Sequence, residues 1–208
     1  MNSYLSSLPS NVAQTFSNSN DAVMGLHENE LRLSLELFHD ISYLELALRN
    51  HIDKQFCKRW QGNRHWLLDS DSPIFLTGTK SANYWKNKIT EANKRAKTKD
   101  SPSSIISDLP FGFWTKFSEG QFEQTLWIPY VRHAFAKGAS RKDIDRGLSR
   151  IRAQRNRIAH HEPLNLGKYK GLIVATSSDV LSLLDSLNPN LAEFVKDTSK
   201  VRELLQLT

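Results

Sequence analysis

The sequence predicts an all-α protein, and three observations carry that expectation. Apolar residues recur at three- and four-residue steps wherever a pattern is clear, beginning with Leu37, Ile41, Leu44, Leu48, Ile52 and Phe56. Stretches bearing Pro, Gly, Ser and Asp fall between these segments, where helices need to stop. Only Leu172 to Thr176 reads as a strand, and it has no obvious partner. The expected organisation is a polar segment over residues 1–27, loosely ordered or adding one short helix, followed by one helical domain over 28–208.

The elements follow in order. Asn18-Ser19-Asn20-Asp21 reads as loop, and a long amphipathic helix starts near Glu28. Asp69 to Gly78 carries a Pro and a Gly among polar residues and reads as a connection. A strongly basic helix is expected from Ser81 to about Lys99, closed by Asp100-Ser101-Pro102-Ser103-Ser104. Leu109-Pro110-Phe111-Gly112-Phe113-Trp114 reads as an aromatic turn leading into a short helix. Gln121 to Lys137 reads as a helix interrupted near Pro129 and ended by Gly138. Ser140 is placed to cap the next helix, with Asp143 in its first turn, and that helix must end before Pro163. Ser178 to Leu187 and Asn190 to Leu205 supply the last two helices.

Composition narrows the function classes. With 39% apolar and 24% charged residues, the 208-residue chain can bury a core and is not disordered by composition. Its single cysteine, Cys57, excludes an internal disulfide framework and a cysteine-rich zinc module. No apolar run approaches the ~18 residues a membrane span needs, and Met1 to Ser10 shows no signal-peptide pattern, so the expectation is a cytoplasmic protein without membrane contact. Twenty-eight Lys and Arg against 22 Asp and Glu give a net charge of +6, which suits a polyanionic partner.

Arg152-Ala153-Gln154-Arg155-Asn156-Arg157-Ile158-Ala159-His160-His161-Glu162-Pro163 is the most informative stretch. Three arginines and two adjacent histidines crowd into about three helical turns, and like charges so close favour anionic company. At ~100° per residue Arg155 continues the stripe of Leu148 and Ile151, so it is expected to be paired. Asn156 and His160 share a face, as do Arg157 and His161. A proton-exchanging imidazole beside a phosphate-holding guanidinium is a minimal apparatus for phosphodiester cleavage. On spacing alone a solvated basic helix terminus remains the plainer reading.

The chain resembles the Abi-like (AbiD/AbiF-type) abortive-infection proteins of the HEPN ribonuclease superfamily. Arg155-Asn156-Arg157-Ile158-Ala159-His160 is similar to the family's Arg-polar…His motif, and the run continues through His161-Glu162-Pro163-Leu164. Leu44-Glu45-Leu46-Ala47-Leu48-Arg49-Asn50 looks like the family's upstream helix, and Leu109 to Thr115 like its central aromatic turn. The resemblance covers about residues 35 to 165. It implies a HEPN-like four- or five-helix core that forms a homodimer, with two motifs in one cleft. It also implies metal-independent RNA cleavage by attack of the ribose 2′-hydroxyl on the adjacent phosphate, in an antiphage or toxin effector. His160 would then move protons, Arg155 clamp the phosphate and Asn156 orient. Glu45, Arg49, Asn50 and His161 would support them. The resemblance also implies an inhibitory antitoxin partner, RNA or protein. A non-catalytic RNA-binding module and a dimeric interaction protein are the alternatives.

Glu45 and Arg49 stand at i and i+4 in the favourable order, as a surface ion pair or as support for Arg155. Lys86, Lys88, Lys94, Arg95, Lys97 and Lys99 read as a solvated face or an RNA-backbone track, joined by Arg152 and Arg157. Tyr84, Trp85, Phe111, Phe113 and Trp114 read as core anchors before base-stacking platforms. Cys57 lacks the surroundings of a catalytic nucleophile. His27, His39, His51 and His65 form no His-x-x-x-His pair, so neither a metal nor another cofactor is expected. No glycine-rich phosphate loop is present.

Overall fold

The computed structural model of the chain describes residues 20–162, 164 and 166–206. Among the described residues every regular element is helical, as the periodicity requires. In chain order the α-helices are Asn20–Arg59 (α1), Thr79–Arg95 (α2), Pro102–Asp108 (α3), Phe111–Thr115 (α4), Arg141–Ala159 (α5), Leu166–Leu187 (α6), Pro189–Thr198 (α7) and Val201–Gln206 (α8). The chain divides into two compact units, Met1–Leu44 with Arg150–Thr208 in one and Glu45–Ser149 in the other.

In the first unit, Leu33, Leu37, Ile41 and Leu44 of α1 are buried at the three- and four-residue steps of the stripe. Helix α6 buries Ile173, Thr176, Ser177, Val180 and Leu184 at the same periodicity, and α7 packs on it. Asn188 caps α7, its Oδ1 accepting the Leu191 N–H at 3.3 Å, and Pro189 fits the first helical position, where no N–H partner is needed. The α7–α8 junction is tied to α1. Ser199 Oγ donates to Asp40 Oδ2 at 2.6 Å, and Tyr43 meets Phe194 edge-on at 5.6 Å.

The second unit is built around aromatic rings. Phe56 stacks on Trp66 at 4.4 Å and on Tyr130 at 4.6 Å, and Trp85 stacks on Phe117 at 4.8 Å. Phe111, Phe113 and Trp114 are buried, so the Pro110–Gly112 turn delivers core anchors, with no ring face left open for a base. Arg141 closes this unit's polar side, donating to the Ser118 carbonyl at 2.7 Å and pairing with Glu123 at 3.1 Å.

Several sequence expectations are corrected. Helix α1 begins at Asn20 rather than near Glu28, so Asn20 and Asp21 are helical; residues 1–19 of the expected polar segment lie outside the described residues. The basic helix α2 ends at Arg95, because Lys99 folds back and donates to the carbonyls of Asn93, Lys94 and Ala96, satisfying the helix end. Gln121 to Lys137 is not an α-helix. A π-type turn at Glu123–Trp127 bonds the Ile128 N–H to the Glu123 carbonyl at 2.9 Å, just before Pro129, and a 3₁₀ turn follows at Val131–Ala134. Leu172 to Thr176 lies inside α6, with the Thr176 hydroxyl bonded to the Leu172 carbonyl at 2.8 Å. The expected Asn190–Leu205 helix is two helices, broken where Ser199 turns its hydroxyl to Asp40.

Asp40 provides a test of the α1 anchor. Burial raises its carboxyl above the ordinary 3.8, while bonds from Ser199 and His39 pull it back only in part. The folded carboxyl therefore holds its proton more tightly than the unfolded one. Stability falls as pH rises from the unfolded value through the raised one and stays lower at neutral pH. Asp40→Asn keeps an acceptor for Ser199 and should raise stability at pH 7 while removing that slope, read by urea unfolding across pH 3–7. A variant less stable than wild type at pH 7 would contradict this account.

Candidate functional site

Helix α5 is organised from both ends. At its start the Ser140 carbonyl accepts the Ile144 N–H at 3.0 Å and its hydroxyl accepts the Asp143 N–H at 3.4 Å. Ile144, Leu148, Ile151 and Gln154 are buried along one face. In the first unit Arg150 pairs with Asp179 of α6 at 2.8 Å, fixing the helix before the basic segment begins.

The C-terminal end is a Schellman turn. The His161 N–H donates to the Ile158 carbonyl at 3.0 Å, and the Glu162 N–H to the Arg157 carbonyl at 2.9 Å. This pattern needs a left-handed residue, and His161 occupies it at φ 55°. Glycine is the usual occupant, because a Cβ costs ~1–2 kcal/mol in that conformation. His161 thus leaves the helix and does not share a face with Arg157, contrary to the helical projection. Pro163 lies outside the described residues.

Arg155, Asn156 and His160 stand where the helical repeat places them. Asn156 and His160 are exposed, one turn apart, joined by the His160 N–H to the Asn156 carbonyl at 3.0 Å. Arg155 is half-buried, with its guanidinium carbon 5.8 Å from the Phe38 ring centroid of α1 and its buried Nε without a hydrogen-bond partner. The ring face offsets part of the cost of desolvating that charge. Arg157 lies 5.0 Å from the Tyr169 ring centroid and 3.7 Å from Glu162, and Arg152 is half-buried. Beside this segment a largely apolar groove of about 410 Å³ runs between α1 and the end of α5, its walls including Leu31, Leu35, Phe38, Ile158 and Leu164, with His27 and His161 also lining it.

Glu45, Arg49 and Asn50 belong to the other unit. Glu45 and Arg49 are half-buried, Asn50 is exposed, and Arg49 Nε is buried without a hydrogen-bond partner. The six basic residues of the expected RNA track separate. Lys88 pairs with Glu91 at 2.8 Å, Arg95 with Asp108 at 2.7 Å, and Lys99 caps α2. Lys97 lies beyond the helix and is exposed. Lys86, Lys94 and Lys99 line an open cavity of about 750 Å³ together with Arg64. Arg64 was outside the expected track because only the fold of the loop after α1 brings it there. Cys57 is a poor nucleophile: although the residue is exposed, partial desolvation of its sulfur, then the charge of Asp53 and a hydrogen bond to it, push its thiol up to about 11.

The left-handed cap yields a direct test. His161→Gly should stabilise the protein by ~1 kcal/mol in urea unfolding at unchanged m-value, while His161→Ala should not. Equal or lower stability for the glycine variant would mean that His161 is held by contacts stronger than the strain it carries.

No protein-family model, curated protein or solved structure matches the chain.

Proposed function

We propose that this chain is a HEPN-type, metal-independent endoribonuclease of the Abi-like kind, acting as an antiphage or toxin effector on cytoplasmic RNA. The observation that carries the reading is the end of α5. Arg155 offers a partly desolvated guanidinium with an unsatisfied Nε, and Asn156 and His160 stand exposed one turn apart.

The chemistry follows from what cleavage needs. The ribose 2′-hydroxyl is a weak nucleophile at neutral pH, so a group must take its proton as it attacks phosphorus. His160 is a side chain able to do so, or to protonate the departing 5′-oxygen, with a second copy supplying the complementary step. Arg155 stabilises charge on the phosphorane through paired N–H donors, which a lysine does not reproduce. Asn156 orients a ribose or phosphate oxygen. Arg64, Lys86 and Lys94 give the second unit a basic surface for RNA phosphates. On this reading an inhibitory RNA or protein partner holds the effector in check.

A second reading, a dimeric interaction protein, draws on the groove beside the motif. Leu31 and Leu35 are 46% and 61% exposed there, an apolar face suited to a second copy.

Single-turnover cleavage separates these readings. His160→Ala should lose roughly 10²–10⁴-fold in rate with RNA affinity kept, the usual range for a general acid–base group. Arg155→Lys should also fail in cleavage, and Asn156→Ala should be milder. If His160→Ala cleaves at the wild-type rate, His160 is not the proton-transfer group, and if the wild type cleaves no RNA, the interaction reading takes the place of the enzyme.

A further inference from the structure

The second unit contains a convergence of metal-ligating atoms that the RNA-cleavage reading does not use. Asp53 and Cys57 stand one turn apart near the end of α1, and His65 reaches them from the loop that follows. Cys57 Sγ lies 3.3 Å from His65 Nε2 and 3.7 Å from Asp53 Oδ1, and His65 Nε2 lies 3.2 Å from the same oxygen. A tetrahedral zinc ion, with bonds of about 2.3 Å to sulfur and 2.0–2.1 Å to nitrogen and oxygen, separates its ligand atoms by about 3.3–3.6 Å. The three atoms thus approximate one face of that tetrahedron before any ion is present.

The surroundings hold the face in place. Trp66 Nε1 donates to Asp53 Oδ1 at 2.7 Å, the outer-shell bond that orients a carboxylate ligand. Trp66 itself is buried and stacked on Phe56, so the neighbour of His65 in the chain is fixed to the residue next to Cys57. The His65 carbonyl also accepts the N–H groups of Leu68 and Asp69 at 2.8 and 3.0 Å, which sets the turn carrying the imidazole. Cys57 is exposed, leaving the fourth position open to solvent and an entry path for the ion.

We propose that Asp53, Cys57 and His65 form a binding site for a zinc-class divalent cation, with water as the fourth ligand. A thiolate, an imidazole and a carboxylate together suit a borderline-soft ion and do not suit magnesium or calcium, which take oxygen ligands. Binding replaces the thiol proton, which leaves to solvent. The Leu67 N–H lies 3.3 Å from His65 Nδ1. An Nε2 that ligates the ion carries no proton, so the bound ring is the Nδ1–H form and gives up the long Leu67 contact. The ion staples the end of α1 to the following loop inside the second unit. The sequence has no His-x-x-x-His pair and a single cysteine, hence the expectation of no metal; an Asp-x-x-x-Cys pair completed by a histidine across a turn follows neither pattern.

The test uses the reduced, metal-free whole chain and one equivalent of Co²⁺ as a spectroscopic probe. The wild type should develop a thiolate-to-cobalt charge-transfer band in the near ultraviolet and intense ligand-field bands of a four-coordinate site, both removed by adding Zn²⁺. Cys57→Ser should lose the charge-transfer band, and His65→Gln and Asp53→Asn should lose the four-coordinate intensity. Zn²⁺ should raise the thermal midpoint of the wild type and not that of Cys57→Ser, with circular dichroism confirming that each variant is folded. The proposal is overturned if wild type gives only the weak absorption of the hydrated ion, or if Cys57→Ser keeps the band or the thermal shift. None of these readouts depends on RNA cleavage.

Discussion

A single left-handed residue, His161, closes α5, and the placement of the basic segment depends on that turn. Because the Glu162 and His161 amides return to the carbonyls of Arg157 and Ile158, the helix stops one residue before His160. Had the helix run on, His160 would lie mid-helix with its carbonyl bonded inward, and the chain would not double back to start α6 at Leu166. The cap therefore presents two adjacent imidazoles, both exposed, at the helix terminus. A non-glycine residue in the left-handed region, as His161 is, carries backbone strain of a kind that clusters at functional sites.

Arg155 illustrates how the core and the site meet within the first unit. Its stem continues the buried face of α5, yet its guanidinium ends over Phe38, where a hydrophobic residue would pack at less cost. The second unit solves a different problem. Its chain is irregular between Lys116 and Ala134, and stacked rings hold together segments that regular helices do not. The same stacking fixes His65 next to Asp53 and Cys57, so the staple in that unit draws its geometry from the aromatic core.

Legibility followed the range of the interaction. The stripe from Leu37 to Phe56 was readable because helical periodicity is local, and so was the end of α5 before Pro163. The strand reading of Leu172 to Thr176 failed because a short apolar run looks alike in a strand and in a buried helix; the neighbours Ser177 and Val180 settle it only once burial is known. The Gln121–Lys137 helix failed because Pro129 reorganises the turn before it rather than merely kinking it. Lys99 read as one more exposed cation, and only its bonds to three carbonyls reveal a cap. The left-handed His161 carried no sequence signal, since nothing but glycine marks that position. Cys57 and His65 were visible in the sequence, but the turn that brings His65 back to Cys57 and Asp53 was not.

The central claim is that the end of α5 cleaves RNA through the ribose 2′-hydroxyl. The most direct measurement is product analysis on matched oligonucleotides, one all-ribose and one with a single 2′-deoxy nucleotide at the preferred scissile position. The account predicts 2′,3′-cyclic phosphate and 5′-hydroxyl ends from the first and no cleavage at the substituted position in the second. Equal cleavage of both oligonucleotides, or products ending in 5′-phosphate, would contradict it.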